Sequence, residues 1–319
     1  MSSAPGILVL NHLAARHIDA IKKVMPDSTV TSTDLEHAGE YIADTEILVT
    51  WGFMDIRPLY PAAAKLKWVH ALTAGVERLV FPEIQADDTI LTNSKGIHGI
   101  PVSEHVFAMM LAFSRGLNIF IRQQTAKEWT RKKAPTEEIH EKTLGIVGLG
   151  SIGREIAKKA KGMGMDVVAV KRETTNEIFV NKLFKPEQLE EMLAIADYVV
   201  VALPLTEETQ GLFGLKQFEA MKRSAYFFNI ARGPIVNEQA LATALEKGLI
   251  RGAGLDVFQE EPLPATSPLW ERPDVIITPH VAALSPHYLD RAITLFVDNL
   301  NRYGQNREMF NLVDKSKGY

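Results

Sequence analysis

The chain of 319 residues contains no cysteine. Disulfides, thiolate metal sites and a cysteine nucleophile are thereby excluded. It also lacks a surplus of charge, since 35 basic residues face 39 acidic ones for a net charge of −4. No basic field is available to draw in nucleic acid or an anionic membrane, so neither is expected as a partner. The lysine pairs Lys22–Lys23 and Lys158–Lys159 read as solvated helix faces. No apolar run approaches the roughly eighteen residues that span a membrane. Met1 to Pro5 shows no basic segment leading into an apolar one, so no secretory signal is read there and a cytoplasmic setting is expected. What remains is an ordinary globular composition, 46% hydrophobic and 23% charged. A single core rarely organises a chain of this length, and two domains are expected.

Short apolar runs alternate with amphipathic stretches in the first part. Gly6–Leu10, Glu46–Thr50 and Trp68–Leu72 read as strands, and Leu13–Val24 as a helix. From Ile100 to Arg115 the residues Val102, Val106, Met109, Met110 and Phe113 recur at helical spacing, with Pro101 in the first turn. Trp129–Glu141, polar and broken by Pro135, reads as a surface loop. Beyond it come six near-continuous apolar runs: Leu144–Val147, Val167–Val170, Tyr198–Leu203, Tyr226–Ile230, Gly254–Val257 and Val275–Thr278. Parallel strands buried on both faces have this character. Tyr288–Tyr303 reads as a helix that packs back on the first domain.

Gly148-Leu149-Gly150-Ser151-Ile152-Gly153 follows one of these strands and opens a helix with Ile152, Ile156, Ala160 and Met163 on one face. In such a loop the first glycine permits a tight turn, the second lets backbone approach a pyrophosphate, and the third allows close packing of helix on strand. Amides at the helix start then bind the anion. The next strand runs into Lys171-Arg172, where an NAD site normally places an acid for the ribose 2′-hydroxyl. Two cations there would neutralise a 2′-phosphate, so NADP(H) is the expected cofactor, with NAD(H) also open through Glu173.

Three further segments lie at strand ends: Asn229 to Glu238 with Arg232-Gly233, Gly252 to Pro264 with Asp256 and Glu261, and Thr278-Pro279-His280. Ligands of open α/β sheets bind outside the carboxyl ends of the strands. An arginine, a carboxylate and a histidine would thus reach one edge. Reduction of a keto acid by hydride needs that set. The guanidinium fork grips the substrate carboxylate, and an imidazole delivers the proton to the carbonyl oxygen. A neighbouring carboxylate orients an imidazole and favours its protonated form. No metal is called for.

These motifs together resemble the D-isomer-specific 2-hydroxyacid dehydrogenase family, which includes glyoxylate/hydroxypyruvate reductases and phosphoglycerate dehydrogenases. The likeness rests on the phosphate loop, Leu203-Pro204-Leu205-Thr206, Arg232-Gly233, Asp256-Val257-Phe258 with Glu261-Pro262, and Pro279-His280, and it covers nearly the whole chain. It implies that Arg232 binds the substrate, His280 is the general acid and base, and Glu261 orients it. It implies that Asp256 holds the nicotinamide carboxamide and that Leu203, Pro204, Thr209 and Ala231 line the cofactor. Ala74-Gly75-Val76 would receive the substrate carboxylate. Asn93 and Gly96 match the crossing segment, and Glu104 falls on the helix after it. His70, His98, His105 and His287 are weaker histidine candidates. Asn237 departs from the usual aspartate but can still cap the helix that follows. Val281 to Ser285 departs from the usual glycine-containing segment.

The implied architecture is α/β, with two doubly wound parallel-sheet domains: a Rossmann cofactor domain over 97–287 and a smaller flavodoxin-like substrate domain over 1–96 plus 288–319. The active site is expected between them, under hinge closure. The helix after Ile100 and the loop through Trp129 resemble a dimer arm, so a homodimer is expected. Trp51 and Phe53 are candidates for the pocket wall, equally readable as core. Two rivals stay open: a cofactor-sensing binding protein of the corepressor type, and a dehydrogenase for formate or phosphite. The formate branch pairs its histidine with glutamine, which Glu261 disfavours.

Overall fold

The computed structural model describes residues 5–131, 134, 136–173 and 176–316. The chain divides into two compact units, Met1–Ile97 with Ser285–Tyr319, and His98–Leu284.

The first unit opens with β1 (Gly6–Val9), α1 (Ala15–Val24), β2 (Thr29–Ser32), β3 (Thr45–Thr50), β4 (Trp68–Ala71), α2 (Pro82–Ala86) and β5 (Ile90–Asn93). Its five strands are parallel in the order β2-β1-β3-β4-β5, the flavodoxin-like arrangement. Side chains alternate between the two faces, and both faces are buried. Leu8, Leu48, Val69 and Leu91 stand in one register row and join one core cluster. Ile7, Ile47 and Trp68, in the adjacent row, join the other.

The second unit comprises α3 (Gly99–Ser114), α4 (Leu117–Thr125), β6 (Thr143–Val147), α5 (Ser151–Gly162), β7 (Asp166–Val170), β8 (Lys182–Phe184), α6 (Leu189–Ile195), β9 (Tyr198–Val201), α7 (Leu215–Ala220), β10 (Tyr226–Asn229), α8 (Glu238–Glu246), β11 (Gly252–Leu255) and β12 (Val275–Ile277). All seven strands are parallel in the order β12-β11-β10-β9-β6-β7-β8. This is the Rossmann order with one strand added, and it reverses between β6 and β9, where ligands of such sheets bind. Ile146, Ala169, Val200 and Phe228 form one row of the core beneath α3. The last helix, α9 (Tyr288–Gly304), belongs to the first unit and buries Ala292, Ile293, Phe296 and Leu300 against its sheet.

Some local expectations need correction. Lys159 is no solvated lysine, because its ammonium donates to Ser103 Oγ (2.7 Å) and to the Ile100 carbonyl, fastening α5 to α3. Met163 follows the end of α5 and is partly exposed rather than part of its buried face. The 129–141 stretch carries no helix or strand among its described residues, yet Ile139 is buried in the core. Pro135 lies outside the described residues. Among the described residues, no helix is long and apolar enough to cross a membrane.

Candidate active site

Every predicted site residue of the second unit lies on the phosphate-loop helix or at the carboxyl end of its sheet. Gly148, straight after β6, has φ of +102°, and a Cβ there would come within 2.7 Å of the Ala202 carbonyl oxygen. Only glycine meets both demands. A Cβ on Gly153 would stand 2.4 Å from the Gly148 carbonyl oxygen, so the helix start rests directly on the turn. At Gly150 the opposite holds: a Cβ would meet nothing within 4 Å. Open space thus lies over the backbone where a pyrophosphate would approach. Ser151 and Ile152 begin α5, whose first turn carries no acidic residue and no side-chain cap. The amides are left for an anion, and the loop fits a dinucleotide.

Around this loop, Leu203 packs on Gly148, with its Cδ2 2.9 Å from where a Cβ would stand. Thr209 donates through Oγ1 to the Pro204 carbonyl (2.7 Å) and accepts from the Thr206 amide (2.8 Å), which closes the turn after β9. Lys171 and Arg172 follow β7 as expected, but not as a bare cationic pair. Lys171 Nζ donates to Glu177 at 2.8 Å, and Arg172 pairs with Glu208.

The catalytic candidates converge through backbone packing. Asn229, at the end of β10, accepts from the Ala231 amide (3.1 Å) and donates to the Arg232 carbonyl (3.1 Å), which shapes the turn. A Cβ on Gly233 would lie 1.9 Å from the Phe258 carbonyl, so this glycine lets the Arg232 turn press against the loop after β11. That loop carries Glu261, whose Oε1 accepts from the Phe258 amide at 2.9 Å and whose Oε2 meets His280 Nδ1 at 2.7 Å. Both side chains remain accessible to solvent. Nδ1 being engaged, Nε2 is the ring nitrogen left to exchange a proton with a substrate.

Asp256 is nearly fully buried, and its carboxylate organises the loop that bears His280. Oδ1 accepts from Thr278 Oγ1 (2.6 Å) and the Val281 amide (2.9 Å), and Oδ2 from the Ala282 amide (3.0 Å). The His280 amide donates to the Asp256 carbonyl at 2.8 Å, and His280 itself adopts φ of +53°, which few non-glycine residues do.

In the first unit, the Ala74-Gly75-Val76 loop follows β4. Asn93 Nδ2 donates to the Ala74 carbonyl (2.8 Å), and Thr73 Oγ1 donates to the Gly75 carbonyl (2.7 Å) while accepting from the Gly52 amide. Val76 is buried beneath. Trp51 and Phe53 flank Gly52, stacked with centroids 5.7 Å apart, and Phe53 is 62% exposed. Phe53 is therefore no core residue.

Comparison with known proteins decides the family. Residues 107–282 match the sequence pattern of the D-isomer specific 2-hydroxyacid dehydrogenase, NAD binding domain. The chain belongs to this family. It is 34% identical over 277 residues to glyoxylate/hydroxypyruvate reductase B of Escherichia fergusonii, covering 86% of each chain. A D-isomer specific 2-hydroxyacid dehydrogenase family protein from Aeromonas salmonicida subsp. salmonicida A449 superposes with a TM-score of 0.88 at 35% identity, over 98% of this chain and all of that one. The NADPH-dependent glyoxylate/hydroxypyruvate reductase of Sinorhizobium meliloti, solved with NADP and sulfate, superposes with a TM-score of 0.82 at 27% identity over 99% of this chain and 100% of its own. The protein is thus an NAD(P)-dependent 2-hydroxyacid dehydrogenase, and neither rival reading is favoured.

Within this dehydrogenase the remaining histidines sort by surroundings. His70 is fully buried in the first unit between Thr92 Oγ1 (2.8 Å) and Ser94 Oγ (3.2 Å). His287 stands at the start of α9. His98 is buried in the second unit, where burial and then the positive charge of Arg232 hold it down to about 4. In the sequence His105 stands out only by its place near the motifs. Its Nε2 lies 2.9 Å from Thr278 Oγ1 and 3.7 Å from Asp256, so it joins the support of the His280 loop. Asn229 and Thr278 received no role from the sequence. Their only signal there is a polar residue at the end of a buried strand.

Proposed function

We propose that the protein reduces a small 2-keto acid of the glyoxylate or hydroxypyruvate kind to the D-2-hydroxy acid, preferring NADPH to NADH, as a homodimer in the cytoplasm. The observation that carries this reading is the 2.7 Å hydrogen bond between Glu261 and His280 Nδ1. It leaves one oriented imidazole nitrogen at the edge of a dinucleotide-binding sheet.

When bound, the cofactor supplies the hydride. Gly148, Gly150, Ser151, Ile152 and Gly153 would hold its pyrophosphate, with Leu203, Pro204, Thr209, Ala231 and Asp256 lining the rest. Lys171 and Arg172 would receive a 2′-phosphate. Arg232, with the amides of Ala74, Gly75 and Val76, would bind the substrate carboxylate and polarise its carbonyl. His280 Nε2 gives its proton to the carbonyl oxygen as the carbon is reduced, and takes it back in the reverse direction. Glu261 keeps the ring turned to that task.

Loss of NADPH and NADH absorbance is followed side by side with glyoxylate, hydroxypyruvate and keto acids bearing larger apolar groups, the last because of the exposed Phe53. Fast oxidation of NADPH with one acid is the expected result. Preference for NADH removes the cofactor reading, and no turnover with any acid removes the substrate class. The dimer is supported by Leu117 and Ile121 on α4 and by Trp129 after it, all exposed in the single chain. Sedimentation should give twice the chain mass, and a monomer would refute it.

A further inference from the structure

The cations at the end of β7 are not equivalent. Glu177 accepts from Lys171 Nζ through Oε1 at 2.8 Å. The same carboxylate takes Arg154 in a fork, Nη2 to Oε1 at 2.8 Å and Nε to Oε2 at 2.9 Å. Arg154 directly follows Gly153, so Glu177 ties the phosphate-loop helix to the strand end where a 2′-phosphate would be received. The Glu177 side chain is only 10% exposed and that of Lys171 18%. Salt and water screen such a pair poorly. Arg172 and Glu208 both stand open to solvent, where an ion pair contributes little. Arg172 can leave its partner at small cost, whereas Lys171 is held.

We infer that Glu177 sets how strongly this enzyme distinguishes NADP(H) from NAD(H), and that it acts against NADP(H). A 2′-phosphate carries roughly two negative charges. Seated on Lys171, it meets an ammonium whose other neighbour is a shielded carboxylate one hydrogen bond away. Like charges in a poorly screened site repel. Because Glu177 cancels one of the two charges of Arg154 and Lys171, a net of one positive charge is left for a phosphate that carries roughly two negative ones. The ribose 2′-hydroxyl stands in the opposite relation, because it is a donor and a carboxylate is its usual acceptor in NAD sites. Glu177 therefore penalises the phosphate without penalising the hydroxyl. This rests on the reading that Lys171 receives the 2′-phosphate, but not on NADP(H) being the better cofactor.

Replacement by glutamine (Glu177→Gln) keeps the shape and an acceptor oxygen while removing the charge. Dissociation constants for NADP+ and NAD+ are measured calorimetrically on the full-length protein without substrate. Glu177→Gln should bind NADP+ about tenfold tighter and NAD+ within about twofold of the native protein, as expected for loss of one charge repulsion. Glu177→Asp, which keeps the charge, should retain the native ratio. A ratio in Glu177→Gln that is unchanged, or that moves toward NAD+, overturns the inference. If that variant does not fold, Glu177→Thr removes the same charge while leaving Arg154, Lys171 and a hydroxyl acceptor in place. The same shift is expected, and its absence overturns the inference equally. Lys171→Met separates the two layers. Loss of NADP+ affinity in Lys171→Met beside an unmoved Glu177→Gln overturns this inference alone, whereas no loss removes the reading on which it rests.

Discussion

At the scale of single residues, the roles of His280 and Arg232 divide between proton and substrate, and kinetics can tell them apart. His280→Ala removes the proton donor but nothing that holds the dinucleotide. Its kcat should fall by about a hundred- to ten-thousandfold, with the dissociation constant for the cofactor nearly unchanged by fluorescence titration. Arg232→Ala touches substrate in both the ground and the transition state, so KM should rise as kcat falls, with kcat/KM down by about a hundredfold or more. Arg232→Lys should recover little of this, because a point charge does not reproduce the guanidinium fork. Near-native kinetics in either alanine variant would remove the role assigned to that residue. Such local chemistry is what a sequence displays well. The phosphate loop and the Pro279-His280 pair are contiguous, and each carries its meaning within a few residues. Glu177 does not: it is one carboxylate in a polar loop until Arg154 and Lys171, 23 and 6 residues away, are seen to converge on it.

At the scale of elements, legibility follows burial. The central strands β3, β6, β9 and β10 are buried along nearly their whole length because helices cover both faces of their sheets, and the apolar runs within them announce them. The edge strands β2 (Thr-Val-Thr-Ser) and β8 (Lys-Leu-Phe) are too short for any alternation to distinguish them from loop. The segment after β12 shows its Pro279-His280 pair in sequence but not its anchoring, in which Asp256 takes three donors from Thr278, Val281 and Ala282. Asp256→Asn would turn an amide N–H toward backbone N–H groups and remove the charge that strengthens these bonds. Buried hydrogen bonds to a charged group contribute roughly 1.5 to 3 kcal/mol each, so a loss of at least about 2 kcal/mol in unfolding free energy is expected. Turnover should fall with it, since His280 is held at φ of +53° by this anchor. Thr278→Val, which removes one donor and leaves the carboxylate, should cost less on both measures. If Asp256→Asn keeps native stability and binds cofactor weakly instead, the carboxylate serves the nicotinamide rather than the loop.

At the scale of the whole molecule, each unit conceals one histidine that its fold keeps uncharged. Burial alone pushes His70 down to about 3, and burial followed by the Arg232 charge pushes His98 down to about 4, from an ordinary value of 6.5. In the unfolded chain both rings regain that ordinary value. Above pH 6.5 neither state binds these protons, and the stability they permit is fully present. As pH falls below 6.5 the unfolded chain takes up protons that the folded units refuse, so stability drops until the pH reaches about 4 for His98 and about 3 for His70. The slope for each is about 1.4 kcal/mol per pH unit inside its window. Urea unfolding between neutral pH and pH 4.5 should therefore show a steady loss of stability. His70→Gln keeps a polar partner for Thr92 and Ser94 but cannot titrate, so its pH slope should be shallower even if its stability at neutral pH is lower. His98→Gln should flatten the slope in the same way through the second unit, and the double variant should flatten it most. Identical slopes in the native protein and the double variant would mean that the acid sensitivity arises at carboxylates instead.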